Sequence, residues 1–240
     1  MAAIYLIRHG QASFGKADYD QLSEQGIKQA KLLGTYWRSF FNLDRLYLGD
    51  LLRHSQTAEH FLGGYQTTET PTIIHSGFNE LDHVDLLTCY NQQWQNFAEM
   101  TADINQFSNA DSILEREFTA ALNRWVFAEY DQQYKESWPK FKSRCIAALD
   151  QVIKQVRSIN KRQNSLEPVK DIIIFTSAGT ISVILQHLLE LSDIQTLKIN
   201  KQLVNTGVTK LLCSETTISI DYINNYSHLQ QAGTDWVTLI

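Results

Sequence analysis

The chain has 240 residues, 43% of them hydrophobic, which is enough to bury a sizeable core in one large domain or in a domain with an insertion. Its formal net charge is −5, and its 21 lysines and arginines are scattered along the sequence, which argues against a nucleic-acid-binding surface. With only three prolines and no Gly/Ser-rich or Pro-rich tract, the sequence predicts no linker.

The cysteines and the apolar runs indicate the cellular compartment of the protein. Cys89, Cys145 and Cys213 are widely spaced and lack CxxC pairing, so neither a disulfide framework nor a zinc site is predicted. We expect three small buried side chains in a reducing compartment. No apolar run reaches the roughly 18 residues of a membrane span, and Arg8 interrupts the N-terminal apolar stretch too early for a signal sequence. The sequence therefore predicts a soluble cytoplasmic protein with no membrane association.

Strand-like and helix-like stretches alternate along most of the chain. Residues 3–8 form a short continuous apolar run, typical of a strand buried on both faces, and Ser23 is placed to cap an amphipathic helix. The predicted elements are a strand over 3–8, a helix over 24–41, a strand over 44–49, a helix over 52–62, a strand over 72–76, a helical insertion over 84–136, a helix over 139–160, a strand over 172–175, a helix over 179–191, and strands over 207–213 and 216–223. This alternation predicts an α/β fold, a three-layer sandwich with helices flanking a central sheet, as one domain over 1–240.

The predicted insertion, 84–136, is rich in aromatic and amide side chains and carries more acidic than basic residues. We expect this helical cap to cover the sheet and to choose the substrate, because residues at the sheet end deal with the reacting group and a cover must recognise the rest. Core packing is the expected duty of most of its aromatic side chains. The aromatic insertion also leaves room for a homodimer.

Two predicted strand ends carry groups suited to an anion. In open α/β sheets, ligands collect at the carboxyl ends of strands, where helix N-termini also present N–H groups. One strand ends in Arg8-His9-Gly10, and another ends in FTSAGT, residues 175–180. Arg8 can hold two phosphoryl oxygens, His9 can attack phosphorus through a ring nitrogen, and Gly10 lets the backbone approach a ligand. The alternative is a histidine satisfied in the core beside a surface arginine.

Three motifs in order strengthen the first interpretation: RHGQA at 8–12, YDQLSEQGIKQAKLLG at 19–34 and LLRHSQTAEHF at 51–61. Together they resemble the histidine phosphatase superfamily, also called phosphoglycerate mutase-like proteins, and the resemblance extends over the whole chain. It implies a mixed, mainly parallel central sheet flanked by helices, which agrees with the alternation of elements.

The resemblance also implies roles for individual residues. His9 matches the histidine that accepts the phosphoryl group and then releases it to water, while Arg8 and Arg53 match the two arginines that hold phosphoryl oxygens. Glu80 matches the general acid that protonates the leaving alkoxide. Because pre-placed guanidinium groups can stabilise the transferring group by themselves, neither a metal nor another cofactor is expected.

Two of these matches leave alternatives open. Asp82 and Asp85 are close enough to Glu80 in sequence to compete as the acid. Arg53 has the alternative of a surface cation on an amphipathic helix. The segment after RHG also departs from the family pattern, since Glu, Thr and Asn of the pattern are replaced by Gln11, Ala12 and Gly15.

A second family histidine is missing from its usual turn. The family carries it in a Ser-His-Gly-Gly-like sequence, whereas this chain has Ala178 at that position, after Ser177. At a predicted helix N-terminus, Ser177 and the backbone N–H groups of Ala178 and Gly179 can replace part of the lost phosphate binding. His83 and His228 are further candidates, while His54, His60, His75 and His187 have no motif support.

These features predict a metal-independent phosphatase that hydrolyses a small phosphomonoester through a phosphohistidine at His9. The loss of one preorganised donor costs about 10²- to 10³-fold in rate, which a phosphatase with its nucleophile, two arginines and acid can survive. The alternative is a catalytically weakened relative that binds phosphate or a protein partner. A phosphoglycerate-type mutase is the weakest interpretation, because the second histidine is absent and the segment after RHG is altered.

Overall fold

The computed structural model describes residues 2–13, 20–39, 41–67, 69–127, 129–162 and 171–239. Gly15, one of the departures from the family pattern, lies outside the described residues. The described strands are β1 (Ala2–Arg8), β2 (Leu43–Leu48), β3 (Thr72–Ile74), β4 (Asp171–Thr176), β5 (Val208–Cys213) and β6 (Ile218–Asn225).

These strands form one sheet in the order β3-β2-β4-β1-β5-β6. β1 is parallel to β4, β4 to β2, and β2 to β3, whereas β5 runs antiparallel to both β1 and β6. The sheet is therefore mixed and mainly parallel, which confirms the predicted fold class.

The helices account for most of the remaining described residues. They are α1 (Glu24–Trp37), α2 (Leu52–Tyr65), α3 (His83–Tyr90), α4 (Phe97–Ile104), α5 (Ala110–Phe127), α6 (Trp138–Arg162), α7 (Ala178–Leu189), α8 (Asp193–Asn200) and α9 (Ser227–Ala232), with short 3-10 helices at Ser76–Phe78, Asp131–Gln133 and Thr234–Trp236. α1 ends at Trp37 instead of at 41, because the chain turns there and Phe41 stacks on the Trp37 ring with 4.4 Å between centroids. α8 and α9 were not predicted.

The chain divides into two compact units. The first contains Met1–Glu80 and Cys145–Ile240, and the second is Leu81–Arg144, within which the predicted insertion 84–136 lies. Inside the second unit Trp125 and Trp138 pack edge to face, with 5.1 Å between their ring centroids. Other aromatic side chains of this unit are exposed, among them Phe107, Phe127 and Tyr130.

Side chains of β1 are buried on both faces of the sheet. Ile4 and Leu6 belong to an apolar cluster that includes residues 148–156 of α6, whereas Tyr5 and Ile7 belong to a second cluster with residues of α1 and α2. Successive side chains of a strand point to opposite faces, so a continuous apolar run fits a strand with helices on each side. The three-layer arrangement predicted from the sequence is confirmed.

The expectation for the cysteines is only partly met. Cys145 and Cys213 are buried, but Cys89 is half-buried and its sulfur lies 3.1 Å from the backbone oxygen of Gln133. All three are free thiols. None of the helices in the described ranges combines the length and the apolar character that a membrane-crossing segment needs.

Glycines bring α1 and α2 into close backbone contact. A Cβ on Gly34 would lie 2.0 Å from the Phe61 carbonyl oxygen, and a Cβ on Gly64 would lie 2.1 Å from the Lys31 carbonyl oxygen. Real Cβ atoms do not approach so closely, so either substitution would push the two helices apart. This contact matters for function because α1 and α2 both carry motif residues.

We predict that Gly64→Ala destabilises the fold by about 1–3 kcal/mol, the usual cost of inserting a methyl group into a closely packed contact. The neighbouring Gly63 is the matched control, since a Cβ there would meet nothing within 4 Å. Gly63→Ala should stabilise the protein by about 0.5–1 kcal/mol, because alanine loses less conformational freedom in a helix. Urea unfolding of both variants measures the difference, and equal effects of the two substitutions would contradict the steric argument.

Candidate active site

The ends of β1 and β4 bring the two predicted anion-binding segments together. Arg8 lies opposite Thr176 in the parallel pairing, and the His9 backbone N–H donates to the Thr176 carbonyl oxygen at 2.9 Å. Ser177, which follows Thr176, therefore lies at the same edge of the sheet as His9. Parallel strands place their carboxyl ends at one edge, so this juxtaposition follows from the topology.

His9 is a buried, neutral imidazole with one ring nitrogen fixed. Its ring is buried, and Nδ1 lies 2.7 Å from the Gly10 carbonyl oxygen, which can only accept a hydrogen bond. The proton is therefore assigned to Nδ1, and Nε2 keeps its lone pair. Burial lowers the pKa of His9 well below 6.5, and the nearby charges of Arg53, Arg8 and His54 lower it further. The imidazole is neutral at pH 7.

Contacts with α1 give Gly10 a structural role besides the predicted approach of a ligand. A Cβ on Gly10 would lie 2.5 Å from the Gly26 carbonyl oxygen of α1, and a Cβ on Gly26 would lie 2.1 Å from the Gln11 carbonyl oxygen. The Gly10 N–H donates to Thr57 Oγ1 of α2 at 3.1 Å, and the Gln11 N–H donates to Gln29 Oε1 of α1 at 2.9 Å. The loop after β1 is thus fixed between the helices that carry the other two motifs.

Arg53 is buried in the first turn of α2, so it is not the surface cation of the alternative interpretation. Its Nη1 donates to Asp20 Oδ1 at 2.6 Å, while Asp20 Oδ2 accepts the Leu52 backbone N–H at 2.8 Å. Arg8 Nη1 donates to the carbonyl oxygens of Leu203 and Leu239. Both guanidinium groups lie near enough to His9 to lower its pKa, which identifies a local concentration of positive charge.

Glu80 is held at the same edge of the sheet by the turn between β4 and α7. Thr176 Oγ1 donates to the Phe78 carbonyl oxygen at 2.6 Å, and Thr180 Oγ1 donates to the Asn79 carbonyl oxygen at 2.9 Å. The Gly179 backbone N–H then donates to Glu80 Oε2 at 3.0 Å. The sequence predicts that this N–H faces a bound anion, whereas in the structure it holds the Glu80 carboxyl group, because a helix N-terminus favours any negative charge within reach.

The two acids that competed with Glu80 have partners in the second unit. Asp82 caps α3 by accepting the backbone N–H groups of Val84 and Asp85 at 3.1 and 3.0 Å. Asp85 Oδ2 accepts the Lys135 backbone N–H at 2.9 Å. These contacts give both acids a structural role. His83, a candidate for the missing histidine, is the first residue of α3 in the same unit.

His228, the other candidate for the missing histidine, is buried against a different group. Its Nε2 lies 2.9 Å from Thr206 Oγ1, and the Thr206 backbone N–H donates to the Arg8 carbonyl oxygen at 3.0 Å. Burial lowers the pKa of His228 to about 3. Through Thr206, His228 therefore helps to hold the backbone carbonyl of Arg8 in place.

His54, which no motif in the sequence singles out, is fully buried near His9. Its Nε2 lies 2.7 Å from Ser177 Oγ, and its ring centroid is 5.9 Å from that of His9. Burial lowers the pKa of His54 well below 6.5, and the charge of Arg53 lowers it further. A sequence signal existed, because His54 shares the inward face of α2 with Ala58 and Phe61.

The remaining two predicted phosphate-binding residues begin α7. Ser177 is the N-cap residue but makes no side-chain hydrogen bond to its own helix, and its hydroxyl contacts His54 instead. Ala178 is the first residue of α7, and its methyl group packs in the apolar cluster below the sheet edge. Within the described ranges, no three His, Cys, Asp or Glu side chains are grouped in a way that could hold a metal ion.

Comparison with known proteins places this arrangement in a family. The model of the histidine phosphatase superfamily (branch 1) matches residues 4–226, so the chain belongs to this superfamily. A search of curated proteins finds no match.

Solved structures share the fold at low sequence identity. A phosphoglycerate mutase from Bacillus anthracis str. Sterne is 16% identical, with a TM-score of 0.63 over 95% of this chain and 94% of that chain. A phosphoserine phosphatase mutant from Entamoeba histolytica, in complex with phosphoserine, is 20% identical, with a TM-score of 0.62 over 95% and 100%. A putative alpha-ribazole-5′-P phosphatase from Escherichia coli str. K-12 is 18% identical, with a TM-score of 0.60 over 93% and 96%.

The buried neutral histidines make stability depend on pH. A histidine whose pKa is lowered by folding takes up its proton in the unfolded chain first, so stability is lost as the pH falls below 6.5. For His228 the loss continues towards its folded pKa of about 3, at up to about 1.4 kcal/mol per pH unit.

Between pH 6 and pH 4.5 the free energy of unfolding of the parent should fall with decreasing pH. We predict that in His228→Gln this fall is less steep than in the parent by about 1.4 kcal/mol per pH unit. Urea unfolding at half-unit pH steps measures this slope. His187→Gln is the control, since His187 is exposed in α7 and its replacement should leave the slope unchanged. Parallel slopes for the parent and His228→Gln would show that His228 is not a source of the acid sensitivity.

Proposed function

We propose that this protein is a phosphatase that hydrolyses a phosphomonoester through a phosphohistidine at His9. The observation that carries the proposal is the state of the His9 ring. Nδ1 is tied to the Gly10 carbonyl oxygen, and two nearby guanidinium groups and burial keep Nε2 unprotonated. A lone pair at a fixed position beside positive charge is what attack on a phosphoryl group requires.

In the first step, Arg8 and Arg53 bind oxygens of the phosphoryl group while His9 Nε2 attacks phosphorus. A guanidinium group has five N–H donors, so Arg53 can hold Asp20 through Nη1 and still offer donors to the substrate. The N–P bond forms as the P–O bond to the leaving group breaks. Positive charge placed in advance stabilises the charge on the transferring oxygens.

Glu80 enters this step as the protonated acid, still accepting the Gly179 N–H through Oε2, and gives its proton to the leaving alkoxide. After the alcohol leaves, the resulting carboxylate takes a proton from water, whose oxygen attacks phosphorus as the N–P bond breaks. Inorganic phosphate and neutral His9 result, and Glu80 is protonated again. The hydrogen bonds from Thr176, Thr180 and Gly179 to the segment ending in Glu80 support this assignment, because they fix the acid at the edge of the sheet where His9 lies.

We predict that His9→Ala lowers hydrolysis of p-nitrophenyl phosphate by roughly 10⁴-fold or more, because no other group replaces the nucleophile. In the parent, acid-labile label from a ³²P-phosphorylated substrate should be trapped on His9 by rapid quenching. His187→Ala, at an exposed histidine, should retain both activity and label. Activity of His9→Ala close to that of the parent would overturn the proposed function. A parent that binds phosphate but shows neither label nor turnover would favour the binding relative.

The role of Glu80 predicts a dependence on the leaving group. Glu80→Gln should slow hydrolysis of an alkyl phosphate by about 10²- to 10⁴-fold, because the strongly basic alkoxide needs the proton. Formation of labelled His9 from p-nitrophenyl phosphate should change far less, since nitrophenolate leaves without one. Asp82→Asn is the control at the competing acid. If Glu80→Gln slowed His9 labelling equally with both substrates, Glu80 would not be the general acid.

A further inference from the structure

The phosphoryl transfer outlined above uses one histidine, yet a second lies buried beside it. His54 is fully buried in the first turn of α2, next to Arg53 in sequence, with its ring centroid 5.9 Å from that of His9. A buried imidazole costs stability unless it is hydrogen-bonded, and an apolar side chain would fill the inward face of α2 without that cost. Packing alone therefore does not explain a histidine here.

The His54 ring is fixed from two sides. Nε2 lies 2.7 Å from Ser177 Oγ, and a Cβ on Gly49 would lie only 2.3 Å from Nδ1, so the ring packs directly on the Gly49 backbone. His54 and Ser177 are 123 positions apart in sequence and lie on different elements. Their contact therefore depends on the tertiary fold at the carboxyl edge of the sheet.

Ser177 has a hydroxyl that its own helix does not use. An N-cap serine usually accepts a backbone N–H of the first turn, but Ser177 has no such bond, and the Gly179 N–H goes to Glu80. The hydroxyl lies at the end of β4, one residue beyond the carbonyl that accepts the His9 N–H.

We propose that His54 and Ser177 act as one hydrogen-bonded unit on the phosphoryl group, with Ser177 donating to a phosphoryl oxygen and His54 orienting its hydroxyl. This inference rests on the proposed function. A hydroxyl proton can rotate, and a ring that donates Nε2–H to Ser177 Oγ leaves the serine proton for the oxyanion. His54 is then a positioning residue, and it supplies from α2 the second imidazole that the resemblance leads one to expect at position 178.

The test compares substitutions at His54 that keep or remove the polar contact. His54→Leu removes it from a fully buried position, and His54→Gln keeps an amide near Ser177. We expect His54→Leu to lower kcat/KM for p-nitrophenyl phosphate by about 10²-fold, as for a lost oxyanion donor, and His54→Gln to stay within about tenfold of the parent. His60→Leu, on the same helix, is the matched control and should leave activity unchanged.

A double-substitution cycle separates a shared role from packing damage. Ser177→Ala should lower kcat/KM about as much as His54→Leu, and the double variant should be no more than about threefold worse than either single one. Inorganic phosphate should inhibit both single variants more weakly, so its inhibition constant should rise. If the losses multiply, or if His54→Leu matches the parent, the inference is wrong. If thermal unfolding shows that His54→Leu is not folded, a kcat/KM of Ser177→Ala equal to that of the parent would by itself overturn the inference.

The two proposals fail in different ways. Persistent activity of His9→Ala removes the proposed function, whatever His54 does. Loss of activity in His9→Ala together with parent-like kcat/KM in His54→Leu and Ser177→Ala removes only the present inference. ³²P label on His9 in a slow but folded His54→Leu would show that the nucleophile is intact and that a supporting group has been lost.

Discussion

The parallel pairing of β1 with β4 is the constraint on which the rest of the site depends. It sets Arg8 opposite Thr176 and ties the His9 backbone N–H to the Thr176 carbonyl oxygen. A shift of this register by one residue would turn every side chain of β1 to the other face of the sheet. Because Ile4 and Leu6 face one apolar cluster and Tyr5 and Ile7 the other, the core itself holds the register that brings His9 beside Ser177.

Positive charge at this edge is tolerated because backbone carbonyl oxygens and one carboxylate hold it in place. Arg8 Nη1 is held by two carbonyl oxygens, and Arg53 is held by Asp20. The imidazole of His9 responds to both cations by remaining neutral, since burial and the positive charges both lower its pKa. The same positive charge that would attract an oxyanion thus keeps His9 unprotonated, so the proposed nucleophile needs no additional base to activate it.

Local patterns predicted the sheet, its flanking helices and the edge where chemistry is expected, because apolar periodicity and strand ends are properties of short segments. Such local patterns could not predict contacts between segments that are far apart in the sequence. Glu80 and Gly179 are 99 positions apart, so a helix N-terminus expected to face phosphate was assigned without knowledge of the carboxylate beside it. His54 was missed for a similar reason. Its inward position could be read from α2, but its partner Ser177 lies on another element. Gly10 matched a motif for a reason that only the position of α1 reveals.

In the proposed mechanism, the Glu80 carboxyl group and the phosphoryl group share this edge of the sheet. The first turn of α7 would keep the two groups apart, because the Gly179 N–H holds Glu80 while the guanidinium groups of Arg8 and Arg53 lie near His9. A side chain at position 179 would remove this separation, since its Cβ would lie 2.1 Å from Glu80 Oε1. Glycine at 179 therefore fixes the place of Glu80, just as the pairing of β1 and β4 fixes the place of His9, and both constraints act through the turn that joins β4 to α7.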